Sequence, residues 1–409
     1  MPTEQMLQKY AELIIKVGLN LQKGQPLVIH SPIECAQFAR LCATAAYKAG
    51  ASEVITDWSD ELMSKITYQN AALDVLTNIP DWFKAQRMHF LRQGAASLSI
   101  DASDPDVFAD VDPTVLQEYA KARRKAIKAY SDALMANHFT WCVVSVPTEA
   151  WAKKVFPGQD NATERLWEAI AKSVRLDTPD PVAAWRSHNE SFARRIAFLN
   201  EKQFRNLHYK NAKGTDFTVG LADGHVWCGG AEKTIGGIEF TANMPTEEIF
   251  TTPHKDRLNG ALHSSLPLNH NGVTIDDFSL TFKDGKVIDC TATKGEDLLR
   301  QLLGTDDGAR SLGEVALIPC DSPISRMGIL FYNTLFDENA SCHFALGQSY
   351  PGCMQNGENA STEQLQSRGA NDSLIHIDFM IGTSDLCITG TLSDGTFLLP
   401  VFRNGNWAF

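Results

Sequence analysis

The segment Ser373-Leu374-Ile375-His376-Ile377-Asp378-Phe379-Met380-Ile381-Gly382 interleaves apolar side chains with one imidazole and one carboxylate. Successive residues of a strand point to opposite faces. Ile375, Ile377 and Phe379 therefore share one face, and His376 and Asp378 share the other. An imidazole and a carboxylate aimed together at one point are a recurrent way of holding zinc or a related cation. A solitary HxD pair is more often a half-buried histidine hydrogen-bonded to its neighbouring aspartate, so this pattern needs company before it carries weight.

Three other segments supply that company. Between Phe336 and Gly347, Glu338 and His343 stand five residues apart among small and apolar neighbours, where buried ionisable groups need partners. In Gly313-Glu314-Val315-Ala316-Leu317-Ile318-Pro319, Glu314 opens an otherwise apolar strand; an exposed strand-end charge is the alternative. In Ala242-Asn243-Met244-Pro245-Thr246-Glu247-Glu248-Ile249-Phe250, two adjacent carboxylates follow a proline, where a solvated acidic turn is the alternative. None of the four segments decides the matter alone.

The elements that must position these residues fall into two textures. Pro26–Ile29, a helical stretch over Phe38–Ala49 and a second apolar run at Val54–Thr56 read as strand, helix and strand, the unit of a parallel sheet. Further apolar runs at Ala96–Ile100 and Trp141–Val146 adjoin helical segments such as Pro113–Asn137. The first half is therefore expected to be a doubly wound α/β domain. From about Gln203 the chain turns to short alternating runs divided by glycine and turn residues, among them Leu207–Asn211, Thr218–Leu221, Ile238–Ala242 and Lys286–Thr291. These predict a β-rich α+β domain built on antiparallel strands or a partial barrel. The boundary is set near residue 200, giving domains 1–200 and 201–409, because a charged helical stretch, Ser191–Lys202, ends there.

With 409 residues, of which 44% are hydrophobic and 21% charged, the chain has ample material for two cores. A net charge of −12 repels nucleic-acid backbones and anionic lipid surfaces, so neither is an expected partner. Met1–Gly24 reads as an amphipathic helix through Leu7, Tyr10, Ile14, Val17 and Leu21 rather than as a secretory signal, and no run of about 18 apolar residues occurs. The nine cysteines include no CxxC pair and suit reduced thiols in the cytoplasm, the expected location. His30-Ser31-Pro32 follows the first strand without a GxGxxG, and no phosphate-binding loop motif appears.

Taken together, the segments NMPTEEIFTTPH (Asn243–His254), LGEVALIP (Leu312–Pro319), ENASCHFALGQSYPG (Glu338–Gly352) and NDSLIHIDFMIG (Asn371–Gly382) resemble the M29 family of metalloaminopeptidases in order and spacing. The opening segment Leu21–Ala51 is similar to that family as well, so the resemblance covers nearly the whole chain. It implies metal ligation by Glu248, Glu314, Glu338, His343, His376 and Asp378, with Glu248 preferred to Glu247 on family register. It also implies that Tyr350 acts beside the metals. Four carboxylates and two imidazoles exceed one tetrahedral zinc site but suit two divalent ions, zinc, cobalt, manganese or magnesium, sharing a bridging carboxylate. The expected function is release of N-terminal residues from peptides with a free amino terminus. Glu314 or Glu248 would move the proton of an activated water and Tyr350 would hydrogen-bond the oxyanion. A homodimer, with the first domain shaping access to the site, is implied by the same resemblance. Another dinuclear amidase or esterase, or a non-catalytic metal-stabilised peptide-binding protein, are the alternatives.

Overall fold

The computed structural model describes residues 3–270, 273–392 and 398–409. Contacts divide the chain into two compact units. The first comprises Met1–Asn189, Ala231–Pro245 and Leu330–Leu335; the second comprises Glu190–Gly230, Thr246–Ile329 and Phe336–Phe409. The units are thus not consecutive stretches of chain, which the alternation of elements along the sequence does not reveal.

The first unit is built on a parallel sheet. Strand β1 (Leu27–Pro32) lies between β2 (Val54–Ser59) and β3 (Ala96–Ile100), and β3 pairs with β4 (Trp141–Val144). The two-residue strand Asn243–Met244 extends the sheet beyond β4, which is why Ala231–Pro245 groups with this unit. Parallel neighbours require crossovers, and helices such as Ala36–Ala49 and Asp81–Arg92 supply them. β1 is covered on both sides. Leu27 and Ile29 join Tyr10, Phe38 and Cys42 in one cluster, while Val28 joins Phe90 in another. That two-sided burial explains the uninterrupted apolar run in the sequence and makes the unit doubly wound.

Two helices differ from expectation. The N-terminal helix covers Glu4–Leu13 and continues as a π-helical segment to Gly18, leaving the buried Leu21 beyond its end. Pro113–Asn137 is two helices, Pro113–Ala126 and Lys128–Met135, and the break turns Tyr130 and Ala133 into a small cluster with Phe139.

In the second unit two sheets enclose one core. The smaller, wholly antiparallel sheet contains β5 (Cys228–Gly229), β6 (Ile249–Thr251), β7 (Leu312–Leu317), β8 (His343–Gly347) and β9 (His376–Met380), in spatial order β9-β8-β7-β6-β5. The larger sheet includes Asn206–Lys210, Asp216–Leu221 and the long strands Pro253–His263, Val273–Lys283 and Lys286–Lys294. Leu207, Tyr209, Phe217 and Val219 of the larger sheet meet Val315, Leu317, Phe344, Ile377 and Phe379 of the smaller one. Tilted ring pairs tie the two together: Tyr209 with Phe344 at 5.0 Å and Phe278 with Phe379 at 5.7 Å, each contributing about 0.5–1.5 kcal/mol beyond area burial. Helix Pro181–Lys202, longer than its charged C-terminal part suggested, adds Phe192 and Leu199 to this core. Ile238–Ala242 is not a full strand; only Glu239–Phe240 pairs, in a two-stranded ribbon. With one face of the small sheet given to the core, its other face is left for polar groups.

Candidate metal centre

Strand register brings the polar residues together. Glu314 on β7 stands opposite Ala345 on β8, and Ala345 opposite Asp378 on β9. His343 lies two residues before Ala345, and His376 two before Asp378, so period-two alternation puts all four on the same face. Only the methyl group of Ala345 separates the two carboxylates along that row.

Glu314 reaches this face through a bulge. Leu312 pairs with Leu346 on the core side, and unbroken alternation would send Glu314 there too. The register shifts by one residue between Leu312 and Glu314, at Gly313, and re-aims the carboxylate. Gly313 is required there: a Cβ would come within 2.1 Å of the Gln348 carbonyl oxygen. Glu314 is consequently only 4% exposed, an interior charge rather than an exposed strand-end one.

On β6, Ile249 faces the core opposite Leu317, while Phe250 stands opposite Ala316 and so shares the polar face with His343. Glu248, two residues before Phe250, falls on that side, with Oε2 3.5 Å from His343 Nε2. Glu247 is directed elsewhere: its charge acts on Arg195, and its N–H donates to Asn339 Oδ1 at 2.7 Å. Glu338 enters from a short 3-10 turn, Glu338–Ala340, and is half-buried where the charges of Asp378 and Glu314 act on it.

Among the described residues, two triplets have ligand atoms within 4.8 Å of one another: Glu248, Glu314 and His343, and Glu314, His376 and Asp378. Glu314 belongs to both. His376 Nε2 lies 3.1 Å from Glu314 Oε2 and 3.4 Å from Asp378 Oδ1. Its Nδ1 is 2.7 Å from the Gln348 carbonyl, and that of His343 is 3.2 Å from the Ser341 carbonyl. A carbonyl can only accept, so each Nδ1 carries the proton and each Nε2 faces the cluster. Tyr350 follows β8 and places its hydroxyl 3.1 Å from His376 Nε2. The phenol ring is edge-on to Phe250 at 6.0 Å.

Side-chain chemistry in the sequence marked every charged member of this cluster but not its supports. Gln348 and Ser341 act through backbone carbonyls, which leave no trace in residue type. Asn371, buried, donates to the Gly347 and Gly308 carbonyls and so fixes the end of β8. Gly313 did leave a signal, an isolated glycine inside an apolar strand.

The family described as thermophilic metalloprotease (M29) matches residues 3–407. The chain belongs to the M29 family. It is 50% identical over 409 residues to Aminopeptidase 2 of Geobacillus stearothermophilus, covering 99% of this chain and 98% of that protein. It is 42% identical over 407 residues to Aminopeptidase AmpS of Bacillus subtilis, covering 99% of each. The solved structure of wild-type AmpT from Thermus thermophilus superposes with a TM-score of 0.92 at 40% identity, covering 99% of this chain and 100% of that one. This chain is accordingly a metallopeptidase-family hydrolase of mixed α/β fold.

The electrostatics of this M29 cluster fit a divalent cation. Burial, then the charges of Glu338, Glu314 and Asp378, push the Glu248 carboxyl well above its ordinary range. Burial, Asp378 and Glu314 push Glu338 up to about 8. Burial works to lower the His376 pKa, but the Asp378 and Glu314 carboxylates beside its Nε2 prevail and lift it to about 10. Asp378 is buried against ionisation too, yet His376 and His343 hold its carboxyl below the usual value. Its Oδ1, although 3.4 Å from His376 Nε2, has no hydrogen-bond partner. Crowded carboxylates with an unsatisfied buried oxygen are stabilised by positive charge, and the set of oxygen and imidazole donors suits zinc, cobalt, manganese or magnesium.

Proposed function

We propose that this M29 protein is an aminopeptidase that removes single residues from the free amino terminus of peptides, using two divalent ions per chain. The observation that carries the reading is the pair of ligand triplets sharing Glu314 on one sheet face, with Glu338 beside them. Relatives matched over nearly their full length are named aminopeptidases, which supports the substrate class. Bound divalent ions would supply Lewis acidity toward the scissile carbonyl and make water nucleophilic near neutral pH.

The proposed ligands are Glu248, Glu314, Glu338, His343, His376 and Asp378. Backbone carbonyls of Gln348 and Ser341 hold the two imidazoles with Nε2 presented to the cluster. Glu314 or Glu248 takes the proton from the attacking water and returns it to the leaving amine. Burial and then the carboxylates raise the Tyr350 pKa, so its phenol stays protonated and donates a hydrogen bond to the developing oxyanion. Peptides are the proposed partners, with no role for nucleic acid or membrane. No described helix is long and apolar enough to cross a membrane. The proposed location, the cytoplasm, rests on the cysteine usage of the sequence.

The exopeptidase claim depends on anchoring the free amine at the site. Acetylating that amine removes its lone pair as a ligand and adds bulk where the peptide should end. A time-resolved mass-spectrometric digest should show single residues leaving in order from the free amino terminus. The acetylated peptide should be cleaved slower by orders of magnitude. Internal fragments, or equal cleavage of both peptides, would refute the assignment.

A further inference from the structure

The second unit also holds a thiol pair that the proposed chemistry leaves unused. Cys228 lies on β5, which pairs with the strand directly following Glu248 through Cys228–Phe250 and Gly229–Ile249. Cys353 ends the 3-10 turn Pro351–Cys353, which follows Tyr350. The two segments run antiparallel. His225 bridges Met354, and the Val226 N–H donates to the Cys353 carbonyl at 2.7 Å. Val226 therefore stands opposite Cys353, and Cys228, two residues on, shares its face and lies diagonal to it. The Cys228 thiol reaches the Gly352 carbonyl at 3.7 Å and is in hydrogen-bond contact with the Cys353 thiol.

Exposure divides the pair by role. Cys353 is 2% exposed, whereas Cys228 is half-buried and open to a small oxidant. Diagonal partners in an antiparallel pair start farther apart at Cα than most disulfides allow, so bonding them draws the two backbones together. The strain makes such a bond readily reducible, which suits a reversible device rather than a structural staple. The moving parts are the strand flanking Glu248 and the turn carrying Tyr350.

We propose that Cys228 and Cys353 form a redox site at which a hydroperoxide generates a reversible disulfide that draws the Tyr350 turn toward β5 and lowers turnover. The Cys228 sulfur, as thiolate, attacks an oxygen of hydrogen peroxide; the O–O bond breaks, giving a sulfenic acid and a hydroxide that takes up the proton released from the Cys228 thiol and becomes water. The Cys353 sulfur then attacks that sulfur, S–S forms, S–O breaks, and the hydroxide leaves with the Cys353 proton as a second water. Two thiols lose two electrons and two protons, and hydrogen peroxide is reduced to two waters.

The test uses the full-length, zinc-loaded protein treated with near-stoichiometric hydrogen peroxide, alkylated and digested without reduction. Mass spectrometry should find one peptide linking Cys228 to Cys353, about 2 Da lighter than the two reduced peptides together. Turnover of a peptide substrate should fall in step and return with dithiothreitol. Cys228→Ser should lose the link and make turnover resistant to peroxide, and being half-buried this position is a safer variant than Cys353→Ser. Oxidation of the exposed Cys387 without a 228–353 link would overturn the proposal, as would a full link with unchanged turnover. The effect on turnover rests on the aminopeptidase reading; the linked peptide does not, so a protein without peptidase activity would still report on the thiol pair.

Discussion

His376 and Asp378 share one face of β9 while Ile377, between them, is packed into the core, so neighbouring residues on one strand separate function from stability. His376→Ala and Asp378→Ala should each lose most activity and one of the two bound ions. Ile377→Val should cost roughly 0.5–1.5 kcal/mol in a denaturant titration and leave activity near normal. Near-normal turnover and metal content in both ligand variants would rule out the strand-face site. The shared position of Glu314 gives a finer expectation. Elemental analysis of dialysed protein should find about two ions per wild-type chain. Asp378→Ala should keep the ion held by Glu248, Glu314 and His343, whereas Glu314→Ala should lose both. Tyr350→Phe keeps the ring against Phe250 and removes only the hydroxyl. It should lower kcat by about 10²–10³ with metal content intact, the usual cost of one oxyanion donor; unchanged kcat would assign the tyrosine to packing.

At the scale of elements, the bulge at Gly313 couples two parts of the site. A side chain there meets the Gln348 and Gly347 carbonyl oxygens at 2.1 and 2.5 Å, and the Gln348 carbonyl is the one that orients His376. Gly313→Ala should therefore displace the end of β8, destabilise the protein by about 1–3 kcal/mol and weaken metal retention, although residue 313 touches no ion. Normal metal retention in a destabilised Gly313→Ala protein would show that the bulge serves the fold alone. The charged residues of this sheet were legible in sequence because an imidazole or a carboxylate inside an apolar alternating run is conspicuous. The bulge was marked only by a glycine, and its consequence, which face Glu314 occupies, depends on pairing with Ala345, 31 residues further along the chain.

For the molecule as a whole, the helix Glu61–Asn70 buries none of its residues, and Leu62, Met63 and Ile66 are 62%, 59% and 54% exposed. Leu62 and Ile66 stand one turn apart on this helix, and we propose that this exposed apolar face is where the expected homodimer would associate. Sedimentation velocity should give a dimer for the wild type. Leu62→Glu and Ile66→Glu should each weaken association by at least about tenfold, or about 1.4 kcal/mol, without changing metal content. A wild type that is monomeric at micromolar concentration, or glutamate variants that dimerise normally, would remove this surface from consideration.

The sequence by itself determined the local facts: the strand character of β1 from its unbroken apolar run, the opposed faces of β9 from period-two alternation, and the residue types of the candidate ligands. These depend on residues within a few positions of one another, where hydrophobic period and residue type act directly. Tertiary structure alone put Glu248, rather than its neighbour Glu247, within 3.5 Å of His343, because that outcome rests on which face of β6 meets β7. It also returned Ala231–Pro245 to the first unit through the pairing of Asn243–Met244 with β4. Likewise it set the Nδ1 protons of His343 and His376 on the backbone carbonyls of Ser341 and Gln348. Those outcomes depend on strand register and on backbone groups that every residue carries, and neither is written in the identity of a side chain.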